Sequence, residues 1–348
     1  MPADVVVIGV GMVTAVGLTA AETAASVRSA TARFAETSMM DKRFEPFTLA
    51  EVPEDGLPEL AESLSSVGLA ARETRMLRLG AVALNECLKS LPQGEAAPGL
   101  ALSLPETDTT RALDGQLFLQ RFAQQAARGF DGTRSDASHR GRAGGLAAVG
   151  QAAEIVRTGR ARFMLAGGID TYRDLYVLGT LDMEQRVKSA ANLDGFIPGE
   201  GAAFVLLGQA DGVAVPIAAV SPVAQASENG HLYSEQPYRG EGLATAIQQL
   251  VQSGAAPGPI QEVYSSMNGE NHWAKEWGVA FIRSSSAFLP GHGMHHPADC
   301  FGDTGAACAA LMVGLAALGI KQGYRRSPAL VYGSSDRAQR AAVLVTAA

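Results

Sequence analysis

The sequence predicts an α/β protein built on a mixed, mainly buried sheet with helices on both faces. Short apolar, β-branched runs recur at Val5–Ile8, Leu100–Leu104, Phe163–Ala166, Ala203–Leu207, Val215–Val220, Val263–Ser265, Leu330–Tyr332 and Ala342–Val345. They alternate with helical stretches at Thr19–Ser29, Arg75–Ser90, Gln116–Ala127, Gly145–Thr158, Gly240–Ser253 and Thr304–Leu318, and such alternation is the pattern of strands buried between helix layers. Composition agrees. The 348 residues are 47% hydrophobic and 18% charged, with 39 glycines and 16 prolines, which excludes disorder, collagen and a coiled coil and leaves enough chain for two fused lobes.

The first run follows Asp4 with no basic segment before it, so it reads as a buried strand and not as a signal peptide. Several of the helices are rich in Ala and Gly, which permits close approach to neighbouring helices or strands. The best boundary falls at Gln209–Val213, where GQADG separates AAFVLL from VPIAAV. An internal echo crosses it. Gly144-Gly145 opens the helix LAAVGQAAEIV, and Gly302-Asp303-Thr304-Gly305 opens AACAALMVGLAAL, as a duplicated βα unit would give.

With 28 Lys and Arg against 35 Asp and Glu, the formal charge is −7, and no basic run suits nucleic acid. No apolar run reaches the ~18 residues of a membrane span. Cys87, Cys300 and Cys308 lack metal-site or disulfide-framework spacing. The expectation is a soluble, cytoplasmic protein with no cofactor, no metal and no nucleic-acid or membrane partner.

Each local motif has a structural reading beside its chemical one. Gly9-Val10-Gly11-Met12-Val13-Thr14 follows a strand, but Thr14 stands where a dinucleotide loop needs its third glycine. Gly167-Gly168, in RTGRARFMLAGGID, reads as a tight turn, with Gly159 closing the preceding helix. In DGFIPGEGAA, Glu200 between Gly199 and Gly201 suits a general acid or base; a carboxylate locking a turn by accepting backbone N–H groups is favoured. GHGMHHPADC gathers His292, His295, His296, Asp299 and Cys300 in no standard zinc spacing, so loop histidines are favoured over a metal site. No nucleophile elbow and no P-loop is present.

Taken in order, these segments resemble the β-ketoacyl synthase branch of the thiolase-like superfamily. VVVIGVGMVTAVGLTAAET is similar to the opening strand and helix, and GGLAAVGQAAEIVRTGRARFMLAGGID to the helix and strand that follow the nucleophile. DGFIPGEGAAFVLL is similar to the DGF-x-x-GEGA signature, and FGDTGAACAALMVGLAAL to the second-half turn and helix. The resemblance implies a five-layer α-β-α-β-α fold of two pseudo-repeated halves, 1–210 and 211–348, with Gly145–Thr158 and Thr304–Leu318 as buried central helices. Residues 105–140 show no clear match, which leaves the pocket entrance unassigned.

The family's condensing chemistry uses a thiol nucleophile and two histidines, or a histidine and an asparagine. The resemblance places Arg142 at the thiol position, Asn268 at the first histidine and Asp303 at the second histidine or asparagine. YGSSDRAQRA around Gly333–Arg337 replaces the closing glycine-rich loop. One expectation is therefore a non-condensing homologue that binds an acyl thioester or supports a partner enzyme, in the manner of a chain-length factor. Its partners would be an acyl-carrier protein or acyl-CoA, and its assembly a homodimer or a heterodimer with an active synthase. The other is an acyltransferase- or thioesterase-type enzyme with a rebuilt site, using Arg142, Asn268, Glu270, His296 and Asp303. A displaced nucleophile, Cys300 or Cys308, is a third reading. An Arg142–Asp303 pair across the halves would satisfy both charges and close the site, which favours the first.

Overall fold

The computed structural model describes residues 4–107, 113–127, 129–212 and 215–348. Residues 1–3 of the opening segment, 108–112 and 128 of the unmatched 105–140 stretch, and Val213 of the expected boundary lie outside them.

The first half of the chain supplies β1 (Val5–Thr14), β2 (Ala35–Met40), β3 (Pro46–Leu49), β4 (Gly99–Leu104), β5 (Asp136–His139), β6 (Phe163–Thr171) and β7 (Glu200–Gln209). Its helices are α1 (Ala20–Arg28), α2 (Glu62–Ser65), α3 (Ala71–Leu88), α4 (Gly115–Gln125), α5 (Gly141–Arg157) and α6 (Leu175–Met183). The second half adds β8 (Ala218–Val220), β9 (Ala224–Ser227), β10 (Ile260–Ser265), β11 (Phe288–His295), β12 (Ala329–Ser334) and β13 (Gln339–Thr346). Around them lie α7 (Glu241–Gln252), α8 (Asn271–Ser284), α9 (Ala298–Phe301) and α10 (Cys308–Lys321).

The main sheet has the order β11-β10-β12-β13-β8-β1-β7-β6-β4-β5, with β9 beside β13; β2 and β3 form a separate hairpin. Within it, β5-β4-β6-β7-β1 and β11-β10-β12-β13-β8 run in the same sequence of insertion, the third strand of each set outermost and the first innermost. The senses match too. β4 is parallel to β5 and β6, and β10 to β11 and β12; β7 is antiparallel to β6 and β1, and β13 to β12 and β8.

Helices divide the core into layers. One apolar cluster joins α5 and α10 to inward residues of both strand sets, among them Val7, Val205, Val331 and Val343. A second lies between the outer face of the first set and α3 and α4, through Leu77, Leu84, Phe122 and Phe204. A third joins the outer face of the second set to α7 and α8, through Leu243, Ile247, Ala280 and Leu344. The order is helix, sheet, helix, sheet, helix, which is the expected five-layer arrangement. Strands covered on both sides read as continuous apolar runs, and β1 is buried at every position. Residues of α10 from Ala309 to Ala317 are likewise all buried, as burial between two sheets demands.

Two glycine readings gain a physical account here. Gly9 and Gly11 sit inside β1, and a β-carbon on Gly11 would lie 1.9 Å from the Ala83 carbonyl oxygen, so the glycine lets α3 lie directly on the strand. Gly167-Gly168 is no turn: both residues are mid-strand in β6, bonded to β4 and β7. Their missing side chains admit the Phe204 ring and the Ala306 backbone, and a β-carbon on Gly168 would stand 2.1 Å from the Ala306 oxygen. Gly159, by contrast, follows the last turn of α5 at φ +71°. There Gly159 N–H donates to Val156 and Arg160 N–H to Ile155, closing the helix in a Schellman motif. Gly168→Ala is expected to destabilise the protein by about 1–3 kcal/mol, because the turn before α10 must move as a unit; urea unfolding of the variant measures it.

Candidate functional site

The site lies where the leading ends of α5 and α10 meet. Gly141 opens α5 at φ +57° and puts Arg142 in its first turn. On the other side the chain passes Gly302 (φ +69°) and Gly305 (φ +50°) and makes a short 3-10 turn, Gly305–Ala307, before α10 begins at Cys308. Asp303 accepts Gly305 N–H at 2.8 Å on Oδ1, two residues on, and so holds the entry to that turn. Its own backbone is pinned, with Asp303 N–H donating to Ile197 and Gly199 N–H donating to Asp303. This close pairing explains Gly199, where a β-carbon would lie 2.3 Å from the Phe301 oxygen.

Arg142 and Asp303 meet as a buried pair: Arg142 Nε donates to Asp303 Oδ2 at 2.7 Å. Arg142 Nη1 also donates to Asp336 Oδ1 at 2.5 Å, from the loop between β12 and β13. Asp336 then reaches Arg186, which donates to its two oxygens at 2.7 and 3.0 Å. Arg186 grips Glu270 in the same bidentate manner, at 2.8 and 2.9 Å. Asn268 Nδ2 closes the ring by donating to Asp303 at 2.8 Å and Glu270 at 3.0 Å. Trp273 Nε1 donates to Glu270 at 2.9 Å, and Tyr233 OH accepts from Arg186 at 3.0 Å.

Aromatic faces complete the packing. The Arg142 guanidinium lies 5.1 Å from the Trp273 ring centre, and that of Arg186 lies 5.4 Å from Phe196, within cation–π range. Burial pushes the Asp336 carboxyl up, but Arg142 and Arg186 outweigh it and hold the group well below the usual carboxylate range. Glu270 behaves in the same way: burial raises it, and Arg186 brings the net shift down.

The space left is small. A cavity of about 20 Å³, bounded by Glu106, Gly141, Arg142, Asp170, Tyr172, Val177, Leu181 and Asp336 among others, has room for a single water. On its far side Asp170 pairs with Arg72 at 2.9 Å and accepts Ala306 N–H at 2.9 Å.

Of the residues singled out in the sequence, the structure brings together Arg142, Asn268, Glu270 and Asp303. His296 is engaged elsewhere, with Nδ1 2.6 Å from Ser265 Oγ. Cys300 is buried in the apolar layer on α9, and burial together with Asp299 pushes its thiol up, which suppresses the thiolate that a nucleophile needs. Glu200 opens β7 and is buried. It accepts Val52 N–H at 2.7 Å, Thr171 Oγ1 at 2.7 Å and two Arg75 nitrogens at 2.5 and 2.9 Å. Gly201 gives room to the Val13 carbonyl, 2.7 Å from where a β-carbon would be. His292 and His295 lie on β11, and no group of three metal-ligating side chains is found among the described residues. Arg186, Asp336, Trp273 and Tyr233 escaped sequence reasoning; the only signal was the altered loop around Gly333–Arg337.

The layer order and the paired strand sets define a thiolase-like α/β protein. Residues 141–211 match the family described as Beta-ketoacyl synthase, N-terminal domain. No curated protein matches the sequence. Among solved structures the chain is similar to AntDE:AntF, a type II PKS acyl-carrier protein in complex with its ketosynthase bound to the hexaketide, at 17% identity over 100% of both chains and TM-score 0.79. It is similar to the ishigamide ketosynthase/chain length factor at 15% identity, again over 100% of both chains with TM-score 0.79. A ketosynthase from module 6 of the bacillaene synthase of Bacillus subtilis 168 matches at 12% identity and TM-score 0.79, over 99% of this chain and 72% of that one. The chain thus has a thiolase-like ketosynthase fold, and its residues 141–211 match the β-ketoacyl synthase N-terminal family model.

Proposed function

We propose that this protein is a non-condensing member of the ketosynthase fold that supports a partner enzyme, in the manner of a chain-length factor. The observation that carries the reading is the filled site. The meeting point of the two central helices is occupied by the Arg142–Asp303–Asp336–Arg186–Glu270 network, and the cavity of about 20 Å³ beside it admits a water and not an acyl chain. On this reading Arg142, Asn268 and Asp303 replace the nucleophile and the two groups that decarboxylate an extender. A guanidinium engaged with two carboxylates forms no thioester.

A partner role has support on the surface. Leu175, Tyr176 and Met183 are 58%, 66% and 71% exposed along one side of α6, whose opposite side is also apolar. The β2–β3 hairpin adds Phe44, 86% exposed, beside Lys42, whose Nζ bonds the Asp182 carbonyl at 2.6 Å. Exposed apolar side chains gathered in this way mark interaction surfaces. We assign them to a homodimer or to a heterodimer with an active synthase; an acyl-carrier protein or acyl-CoA remains the natural visitor to such an assembly. The halves 1–210 and 211–348 are proposed as a duplicated unit, supported by the matched strand orders. No described helix is long and apolar enough to cross a membrane, and we place the protein in the cytoplasm.

Intact mass spectrometry after incubation with a panel of acyl-CoA and acyl-carrier thioesters tests the reading. No mass increase is expected, and covalent acylation would overturn it in favour of a rebuilt or displaced nucleophile. Arg142→Cys is expected to give no condensation of acyl and malonyl thioesters, since Asn268 and Asp303 supply neither histidine; product formation by that variant, followed by chromatography, would contradict the assignment.

A further inference from the structure

α6 carries an apolar face that the described residues leave bare. Leu175, Tyr176 and Met183 are exposed, Gly179 and Thr180 lie half-buried between them, and at 3.6 residues per turn all five share one side of the helix. A glycine inside a helix weakens it relative to alanine and is of use where something must come close. Elsewhere in the chain the close neighbour is in place: a β-carbon on Gly80 of α3 would lie 2.5 Å from Ile169 Cδ1, and one on Gly145 of α5 would lie 2.9 Å from the Ala310 nitrogen. At Gly179 it would meet nothing within 4 Å. Gly278 of α8 is open as well, but the exposed Lys275 lies one turn from it, so that side is not apolar throughout.

The tip of the β2–β3 hairpin stands at the C-terminal end of α6. Lys42 fixes it there, donating its N–H to Asp182 Oδ2 at 3.0 Å and its Nζ to the Asp182 carbonyl at 2.6 Å. Asp41 stiffens the tip by accepting the N–H groups of Arg43 at 2.7 Å and Glu45 at 2.9 Å on one oxygen. The turn holds Phe44 at φ +65°, in the left-handed region that a bulky residue rarely occupies, with its ring turned out to solvent. An aromatic ring presented on a stiff support has the form of an interface anchor.

We propose that a second copy of this chain covers this face, with α6 packed antiparallel on its mate about a two-fold axis at Gly179. The proposal rests on the reading of this surface as an interface and adds which molecule covers it. Such an axis sets Gly179 of one copy against Gly179 of the other, so the helices can approach to the short end of the usual range of about 8–10 Å. Leu175 of each copy then meets Met183 of the other, and each hairpin tip reaches the first turn of the opposite α6. Charges match there. The Arg43 guanidinium has no carboxylate partner among the described residues, while Asp174 spends Oδ1 on the N–H groups of Tyr176 and Val177 and keeps Oδ2. Leu175, Tyr176, Met183 and Phe44, at on the order of 150 Å² each, supply most of the roughly 800 Å² per partner that a stable interface buries.

Sedimentation of wild type is expected to give a dimer at micromolar concentration. Gly179→Leu adds a side chain that meets nothing in its own chain and favours the helix, so the fold is kept while the two helices are forced apart. Its dimer dissociation constant is expected to rise by about tenfold or more, with an unchanged circular dichroism spectrum. Phe44→Ser is expected to weaken the dimer in the same direction, and Gly278→Leu to leave it as in wild type. Oxidation of Gly179→Cys is expected to join two copies covalently, and that of Gly278→Cys to leave them separate. A wild type that stays monomeric at high micromolar concentration overturns the proposal. So does a dimer that Gly179→Leu leaves intact and Gly179→Cys does not cross-link, which would put the two-fold axis on another face. If Gly179→Leu does not fold, the Gly179→Cys cross-link decides alone. None of these results bears on the non-condensing reading, which the thioester panel tests separately.

Discussion

Asp336→Ala is expected to cost about 3–5 kcal/mol of stability, because it leaves two buried guanidinium groups short of a counter-charge at once. Asp336 is the joint of the network, shared by Arg142 from α5 and by Arg186 from the loop after α6. Asp303→Ala breaks the Arg142 pair, the Asn268 hydrogen bond and the Gly305 N–H bond, but Arg142 keeps Asp336 and Asn268 keeps Glu270, so its loss is expected to be smaller. Urea unfolding of the two variants orders them, and an Asp336→Ala change under about 0.5 kcal/mol would place the network in water. The pH dependence has a definite sign. Asp336 and Glu270 both have folded-state values below those of the unfolded chain, so their stabilisation is present above the ordinary carboxylate range and is lost as pH falls through the folded values. Wild type is therefore expected to lose stability on acidification more steeply than Asp336→Ala.

Glu200→Ala is expected to be of similar size, about 3–5 kcal/mol, for a related reason. Arg75 is buried and gives Glu200 two of its nitrogens, and Val52 N–H has Glu200 as its acceptor. Removing the carboxylate leaves Arg75 with the Val52 carbonyl and the exposed Glu54. Exposed pairs contribute little, so Glu54 is a weak substitute. The double variant Arg75→Met, Glu200→Leu is expected to recover part of the loss, since an apolar pair of similar volume removes both buried charges. Thermal unfolding of the single and double variants separates a locking role, which predicts this recovery, from a general acid or base role, which predicts none.

The fold was legible because its central elements are apolar on every side. β1, β6, β7 and α10 are buried almost throughout, and no polar pattern competes with those runs. Elements at the margins were not. β5 reads Asp-Ala-Ser-His, too polar and too short to stand out. β11 contains Pro290 and Gly291 because it lies at the edge of the sheet, where a missing donor is tolerated, so its histidines read as a loop. α6 is apolar on both its buried and exposed sides, which removes the periodic signal. In the site, Arg142 and Asp303 were found only through the family resemblance, which sets the nucleophile and the second histidine at the openings of α5 and α10. Arg186 lies 84 residues from Glu270 and 150 from Asp336, in a loop with no motif. Only the folded chain shows that it joins them.

The three residues of β8 have a consequence for how the chain can be divided. They pair with β1 on one side and β13 on the other, and so weld the two strand sets into one sheet. A fragment ending at β7 would uncover the margin of β1 at Val5–Val7, presenting unpaired amides and carbonyls flanked by valines to any passing strand. Such a fragment is a template for aggregation even where its helices form. Ribosomal synthesis meets this hazard in every copy it makes, since the first half emerges before its seal, and a chaperone that covers an apolar strand edge during that interval would raise the yield of folded protein more than one that acts on the finished chain.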